Sequence, residues 1–167
     1  MTAVQVILGA VLLQRLIELW IARRNTEKLL AQGAIEAAPE HYHYFVALHA
    51  TWLAALVLFT PDDASPNLFW LAIFLVLQTG RIWVMASLGR LWTTRIVTLP
   101  GTPLIRTGPY RFLRHPNYLI VAGEIAALPL VFDQWEMALV FSGLNAMLLW
   151  VRIRAENEAL AERRCLD

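Results

Sequence analysis

Five long apolar stretches divide this chain, and the charges between them are sorted by side. The stretches cover residues 3–22, 42–59, 67–88, 117–132 and 135–151. At about 1.5 Å per residue each is roughly 24 to 33 Å long as a helix, enough to cross or nearly cross a bilayer. The fourth contains Pro129, which predicts a kink or a short crossing there. Short links at 60–66 and 133–134 predict antiparallel hairpins, pairing the second stretch with the third and the fourth with the fifth. The expected fold is therefore all-α: one polytopic membrane domain of five transmembrane helices over residues 1–167, with the last helix extending past the lipid.

Of the 14 lysines and arginines, twelve lie after stretches one, three and five, and only Arg15 and Arg81 lie inside a stretch. The other two links carry Asp62, Asp63 and Asp133 and no base. By the positive-inside rule the N-terminus is outside and the C-terminus cytoplasmic. Composition fits a membrane protein, with 58% hydrophobic and 16% charged residues. A net charge of +1 gives no reason to expect a nucleic acid partner. The single cysteine, Cys165, excludes an internal disulfide and a CxxC metal site, and it stands one place too late for a prenylation box. The first stretch is too long, and lacks the basic start, for a cleavable signal.

A few polar residues interrupt the stretches at one depth. Arg15, Glu18, His49, Arg81, Glu124 and Asn145 all fall roughly 6–12 Å below the cytoplasmic surface. Charges in lipid are costly, so these groups must face inward and find partners. Arg15 and Glu18 are one turn apart and predict a pair; Arg81 is expected to pair with Glu124. Such a layer either fixes helix packing or lines a half-membrane cavity. Trp20, Trp92 and Trp150 read as interfacial anchors.

The densest local signal is RTGPYRFLRHPNYLIVAGE, from Arg106 to Glu124. Gly108-Pro109 forces a turn, and Pro116 suits the first position of a helix starting near Asn117. His115 then stands where loop becomes helix, near unpaired backbone N–H groups suited to an anion. These residues, with Arg152-Ile153-Arg154-Ala155-Glu156-Asn157 near the C-terminus, resemble the GPYR…RHPxY and RIxxEExxL blocks of the isoprenylcysteine carboxyl methyltransferase family. Two positions depart from that pattern: Asn157 replaces the second glutamate, and Ile120 stands where a glycine is common.

The resemblance implies a membrane enzyme using S-adenosylmethionine as methyl donor and leaving S-adenosylhomocysteine. Its donor pocket would be formed by Tyr110, Arg114, His115, Asn117, Tyr118, Arg152, Arg154 and Glu156. Tyrosine rings suit the cation, Glu156 suits hydroxyls or the ammonium, and Arg152 or Arg154 suits the donor carboxylate. The acceptor would be lipophilic and enter from the bilayer among the membrane lipids. It would be a prenylcysteine-type carboxylate, or the hydroxyl of a long-chain alkylpyrone or alkylresorcinol, as in the short bacterial branch the chain resembles most. A carboxylate is ionised at neutral pH and needs no base, whereas a hydroxyl benefits from one. Glu124, held by Arg81, is the candidate base. Readings of another class are a haem-binding electron carrier using His49 and His115, or a scaffold; the motif cluster on the basic side favours the enzyme. In a bacterium the protein would lie in the cytoplasmic membrane with its site facing inward.

Overall fold

A computed structural model describes residues 1–161; Cys165 and the basic residues Arg163 and Arg164 lie outside the described residues. The architecture is a helical bundle with one small sheet. Its elements are α1 (Ala3–Ala31), β1 (Ile35–Ala37), α2 (Tyr42–Phe59), α3 (Leu68–Leu88), β2 (Ile96–Thr98), α4 (Pro116–Leu130) and α5 (Trp135–Ala159). Among the described residues four helices are long and apolar enough to cross a membrane, and α4 is a shorter apolar helix.

Local chemistry sets the helix ends. Thr2 and Gln5 form a reciprocal capping box at the start of α1. Asn67 caps α3 by accepting from the amides of Phe69 and Trp70 at 3.1 and 3.4 Å. Pro116 opens α4 at its first turn, and Pro129 sits in its last turn, so α4 spans 15 residues. That is about 22 Å, the short segment the proline predicted. α1 and α5 run well past the apolar stretches that begin them, to Ala31 and Ala159.

Large apolar side chains such as Leu13, Leu58, Phe69, Val76, Leu139 and Met147 face outward, as a bundle surrounded by lipid requires. Inside, one core cluster joins Leu8, Val11, Trp52, Leu56, Phe74, Ile125 and Leu128. Two smaller clusters lie towards the other end: Ala22, Val84, Trp92 and Ile120, then Phe45, Tyr118 and Leu149. The polar residues of α1, α3 and α4 fall in sequence between these levels and form a layer of their own.

α4 packs between α3 and α5. A Cβ at Gly123 would come within 2.9 Å of the Leu77 side chain, so this glycine permits the close approach of α3 and α4. The α4–α5 hairpin has the expected form. The expected α2–α3 hairpin is not a packed pair: the short link joins them, but the chief partner of α2 is α5. Link length fixes which ends are near, whereas side-chain complementarity along the helices decides which faces meet.

β1 and β2 form an antiparallel pair in the register Ile35↔Thr98, Glu36↔Val97, Ala37↔Ile96. They tie the link after α1 to the link after α3, reinforced by Arg95 Nη1, which reaches both Glu36 oxygens at 3.1 and 2.9 Å. Strands of three residues carry no readable period, so this sheet leaves no trace in the sequence pattern.

Candidate active site

A cavity of about 730 Å³ opens where α4 begins and α5 ends. One wall is the link after α3, with Trp92, Ile96, Leu99 and Ile105; the other comes from Tyr110, Arg114, His115, Asn117 and Tyr118 with Arg152 and Glu156 of α5. The two motif blocks, far apart in the chain, therefore meet at one place.

Helical spacing arranges them. Arg152 and Glu156 are four apart on α5 and share a face, while His115 and Tyr118 are three apart at the start of α4. The Tyr118 hydroxyl donates to Glu156 Oε2 and accepts from Arg152 Nε at 3.0 Å. His115 stacks on the Tyr118 ring, with centroids 5.4 Å apart and planes inclined by 17°. Its Nε2 lies 3.2 Å from Asn157 Oδ1, and its Nδ1 lies 3.8 Å from Glu156 Oε1. The substitution at position 157 thus places a carboxamide, not a carboxylate, against the imidazole.

Arg152 is held firmly. Its Nη2 donates to the Thr94 carbonyl at 2.6 Å, and its guanidinium lies 4.9 Å from the Phe45 ring centroid. It links α5, α4, α2 and the link after α3. Tyr110 lines the cavity, and burial, then the Glu156 carboxylate, push its hydroxyl above the ordinary phenol range. It remains a proton donor at neutral pH. Asn117 Oδ1 is buried with no hydrogen-bond partner among the described residues. Arg114 is exposed at the mouth.

Two expectations change. Arg154 is not in the cavity: it is exposed and lies over the Trp150 ring at 3.8 Å. On α5 it is two residues from Arg152, which turns it to another face. Trp92 is not an interfacial anchor like Trp20 and Trp150, which are 61% and 58% exposed; it is 3% exposed and forms part of the cavity wall. Its position after a helix end suggested the interface, but the folded link carries it back into the bundle. The side-chain amide of Asn25 donates from Nδ2 to the Gly89 and Trp92 carbonyls, at 3.3 and 2.8 Å, and holds it there.

Glu124 and Arg81 do not line this cavity. They form the polar layer with Arg15 and Glu18. Glu124 Oε1 accepts from Arg81 Nε at 2.8 Å and from Gln78 Nε2 at 3.0 Å. Glu124 Oε2 accepts from Arg15 Nη2 at 2.9 Å and from Arg81 Nη2. Glu18 takes Arg15 Nη1 at 2.7 Å, Arg81 Nη1 at 3.3 Å and Gln14 Nε2 at 2.8 Å. Both expected pairs are present and are cross-linked into a quartet of zero formal charge. Gln14 and Gln78 also belong to this layer; each stands one turn from a charged member, the sequence signal that marks them. His49 instead bonds the Phe45 carbonyl at 2.8 Å, so it and His115 are engaged separately. Among the described residues no group of three or more histidine, cysteine, aspartate or glutamate side chains could hold a metal ion.

Apolar helices with lipid-facing surfaces and a cavity at one end of the bundle are the features of a multi-pass integral membrane protein. The model of the isoprenylcysteine carboxyl methyltransferase (ICMT) family matches residues 70–162, more than half of the chain, and the protein belongs to that family. The chain is also similar to the uncharacterized protein YpbQ of Bacillus subtilis, 38% identical over 160 residues, covering 93% of this chain and 95% of that one. An uncharacterized protein of Haemophilus influenzae is 27% identical over 166 residues, 96% of each chain. The nickel-cobalt-cadmium resistance protein NccN of Alcaligenes xylosoxydans xylosoxydans is 31% identical over 88 residues, 52% of this chain and 41% of NccN.

Proposed function

We propose that this protein is an S-adenosylmethionine-dependent O-methyltransferase acting on a lipid-like acceptor. The observation that carries the reading is the joined group of His115, Tyr118, Arg152 and Glu156 in the wall of the cavity. The cavity's size lies in the range that encloses a cofactor-sized molecule. Its chemistry suits that donor: stacked rings for a purine or cation, a carboxylate for hydroxyls or an ammonium, and Arg114 at the mouth for a carboxylate. The buried, unpartnered Asn117 oxygen would accept from a ligand amine or hydroxyl. Arg152 then acts as a positioning residue, fixing Tyr118 and the Thr94 carbonyl. When bound, the donor supplies an electrophilic methyl group.

The chain's own work is alignment and exclusion of water. Glu156 gives one oxygen to Tyr118 and leaves the other for the donor's ammonium or hydroxyls, which supports a binding rather than a basic role. Glu124 lies outside the cavity with two donors on each oxygen, which supports a structural rather than a basic role. An acceptor oxygen acidic enough to ionise unaided fits this site: a prenylcysteine-type carboxylate, or the acidic enol of an alkylpyrone before the weaker phenol of an alkylresorcinol. The charge distribution supports five crossings, an outside N-terminus and a cytoplasmic cavity.

Calorimetry with S-adenosylhomocysteine tests the reading. The wild-type protein should give saturable heat, and Glu156→Ala should weaken the affinity on the order of a hundredfold while still purifying as a folded protein. Absence of heat with the folded wild type would overturn the assignment.

A further inference from the structure

The loop at the mouth of the cavity sits beside the end of α3, not above it. A Cβ at Gly108 would lie 2.0 Å from Ser87 Oγ and 3.1 Å from Trp83 Nε1, so the turn Gly108–Arg111 presses on the last turns of α3. Trp83 and Ile82, in those turns, are 52% and 63% exposed, which makes this part of α3 lipid-facing. Next to it stand two more apolar side chains without cover, Phe112 at 75% and Leu113 at 46% exposure.

The backbone is arranged for such a depth. The Tyr110 amide donates to the Thr107 carbonyl at 3.2 Å, and those of Phe112 and Leu113 both donate to the Pro109 carbonyl at 3.1 Å. Irregular backbone near hydrocarbon has to satisfy its amides internally, and these three do. Arg111 and Arg114 flank the apolar pair, both exposed, with Arg111 lying 6.0 Å from the Phe112 ring centroid. From residue 64 to residue 123 every charged side chain is basic, and the carboxylate that shares the cavity, Glu156, is taken up on one oxygen by Tyr118.

We propose that Arg111–Arg114 is an interfacial loop that docks on anionic phospholipid, with Phe112 and Leu113 entering the acyl–headgroup boundary and the two arginines holding phosphates. Aromatic and aliphatic side chains gain by leaving water at that boundary, while arginine reaches back to the phosphate plane and can grip it with two N–H groups. Tyr110, Arg111, Leu113 and Arg114 also line the cavity, so the docked loop opens its mouth into the headgroup layer. The inference concerns the membrane surface and stands whether or not the cavity binds a methyl donor.

The test places an environment-sensitive fluorophore on Phe112→Cys, and separately on Leu113→Cys, in a Cys165→Ser background. Each is reconstituted into nanodiscs of phosphatidylcholine with or without phosphatidylglycerol. Blue-shifted emission, quenched by lipids spin-labelled near the headgroup and little by aqueous iodide, is the expected result. Water-like emission quenched by iodide at both positions would overturn the insertion. Native mass spectrometry of the same discs should show phosphatidylglycerol affinity falling roughly thirtyfold in Arg111→Gln/Arg114→Gln, a factor of about five for each surface charge lost. Equal affinity in wild type and variant would overturn the anionic-lipid assignment.

Discussion

Arg81 of α3 grips Glu124 of α4 with two prongs: Nε lies 2.8 Å from Oε1, and Nη2 reaches Oε2. Both residues are buried, and Arg15 and Glu18 close the group into a neutral quartet.

This pair predicts a loss of stability more than a loss of chemistry. Glu124→Gln should destabilise the protein by about 3–5 kcal/mol, because it leaves Arg81 and Arg15 short of a buried counter-charge. Adding Arg81→Gln should recover part of that loss. Thermal unfolding in detergent reads both. Turnover per folded molecule should stay within a few fold of wild type for Glu124→Gln; a fall of a hundredfold that recovers at high pH would instead make Glu124 a base.

The cavity group predicts graded effects on donor binding. Tyr118→Phe keeps the ring against His115 but removes the hydroxyl shared by Glu156 and Arg152, so affinity for S-adenosylhomocysteine should fall about tenfold. His115→Ala and Glu156→Ala should cost more, on the order of a hundredfold. Calorimetry on the three variants would settle the order, and wild-type affinity in either alanine variant would remove that residue from the pocket.

Gly108 predicts a steric effect. Its φ is +57°, and an added Cβ would meet Ser87 Oγ at 2.0 Å. Gly108→Ala should destabilise the protein by about 1–3 kcal/mol through strain and displacement of the loop. Ser87→Gly in the same chain should restore part of the melting temperature by removing the clash but not the φ penalty. No recovery at all would mean that backbone strain alone decides.

Sidedness predicts a labelling pattern. In spheroplasts, Asp62→Cys in a Cys165→Ser background should react with an impermeant maleimide, and Arg106→Cys only after permeabilisation. The reverse pattern would turn the bundle over and put the cavity on the other face.

Much of the candidate site was legible because its signals are local. Proline, glycine and histidine fix a loop-to-helix junction by their own dihedral preferences, and Arg152 and Glu156 share a face because helical spacing requires it. The polar layer was legible because a charge within an apolar run has nowhere to go but inward. What escaped was set by chain segments meeting at a distance: the β1–β2 pair, the return of Trp92 into the bundle, and the outward turn of Arg154 onto Trp150.

The sequence by itself determined the membrane setting, the apolar helices, the two motif blocks and the pairing of Arg15 with Glu18 and Arg81 with Glu124. Each follows from an energy that one segment feels alone: transfer of apolar side chains out of water, the cost of an unpaired charge in lipid, or the limits of a backbone dihedral. Only the tertiary structure decided that α2 packs on α5, that Glu124 is saturated by three side chains from two other helices, and that the link after α3 walls the cavity. Those outcomes depend on which faces fit together, and packing between segments distant in sequence leaves no periodic trace in any one of them.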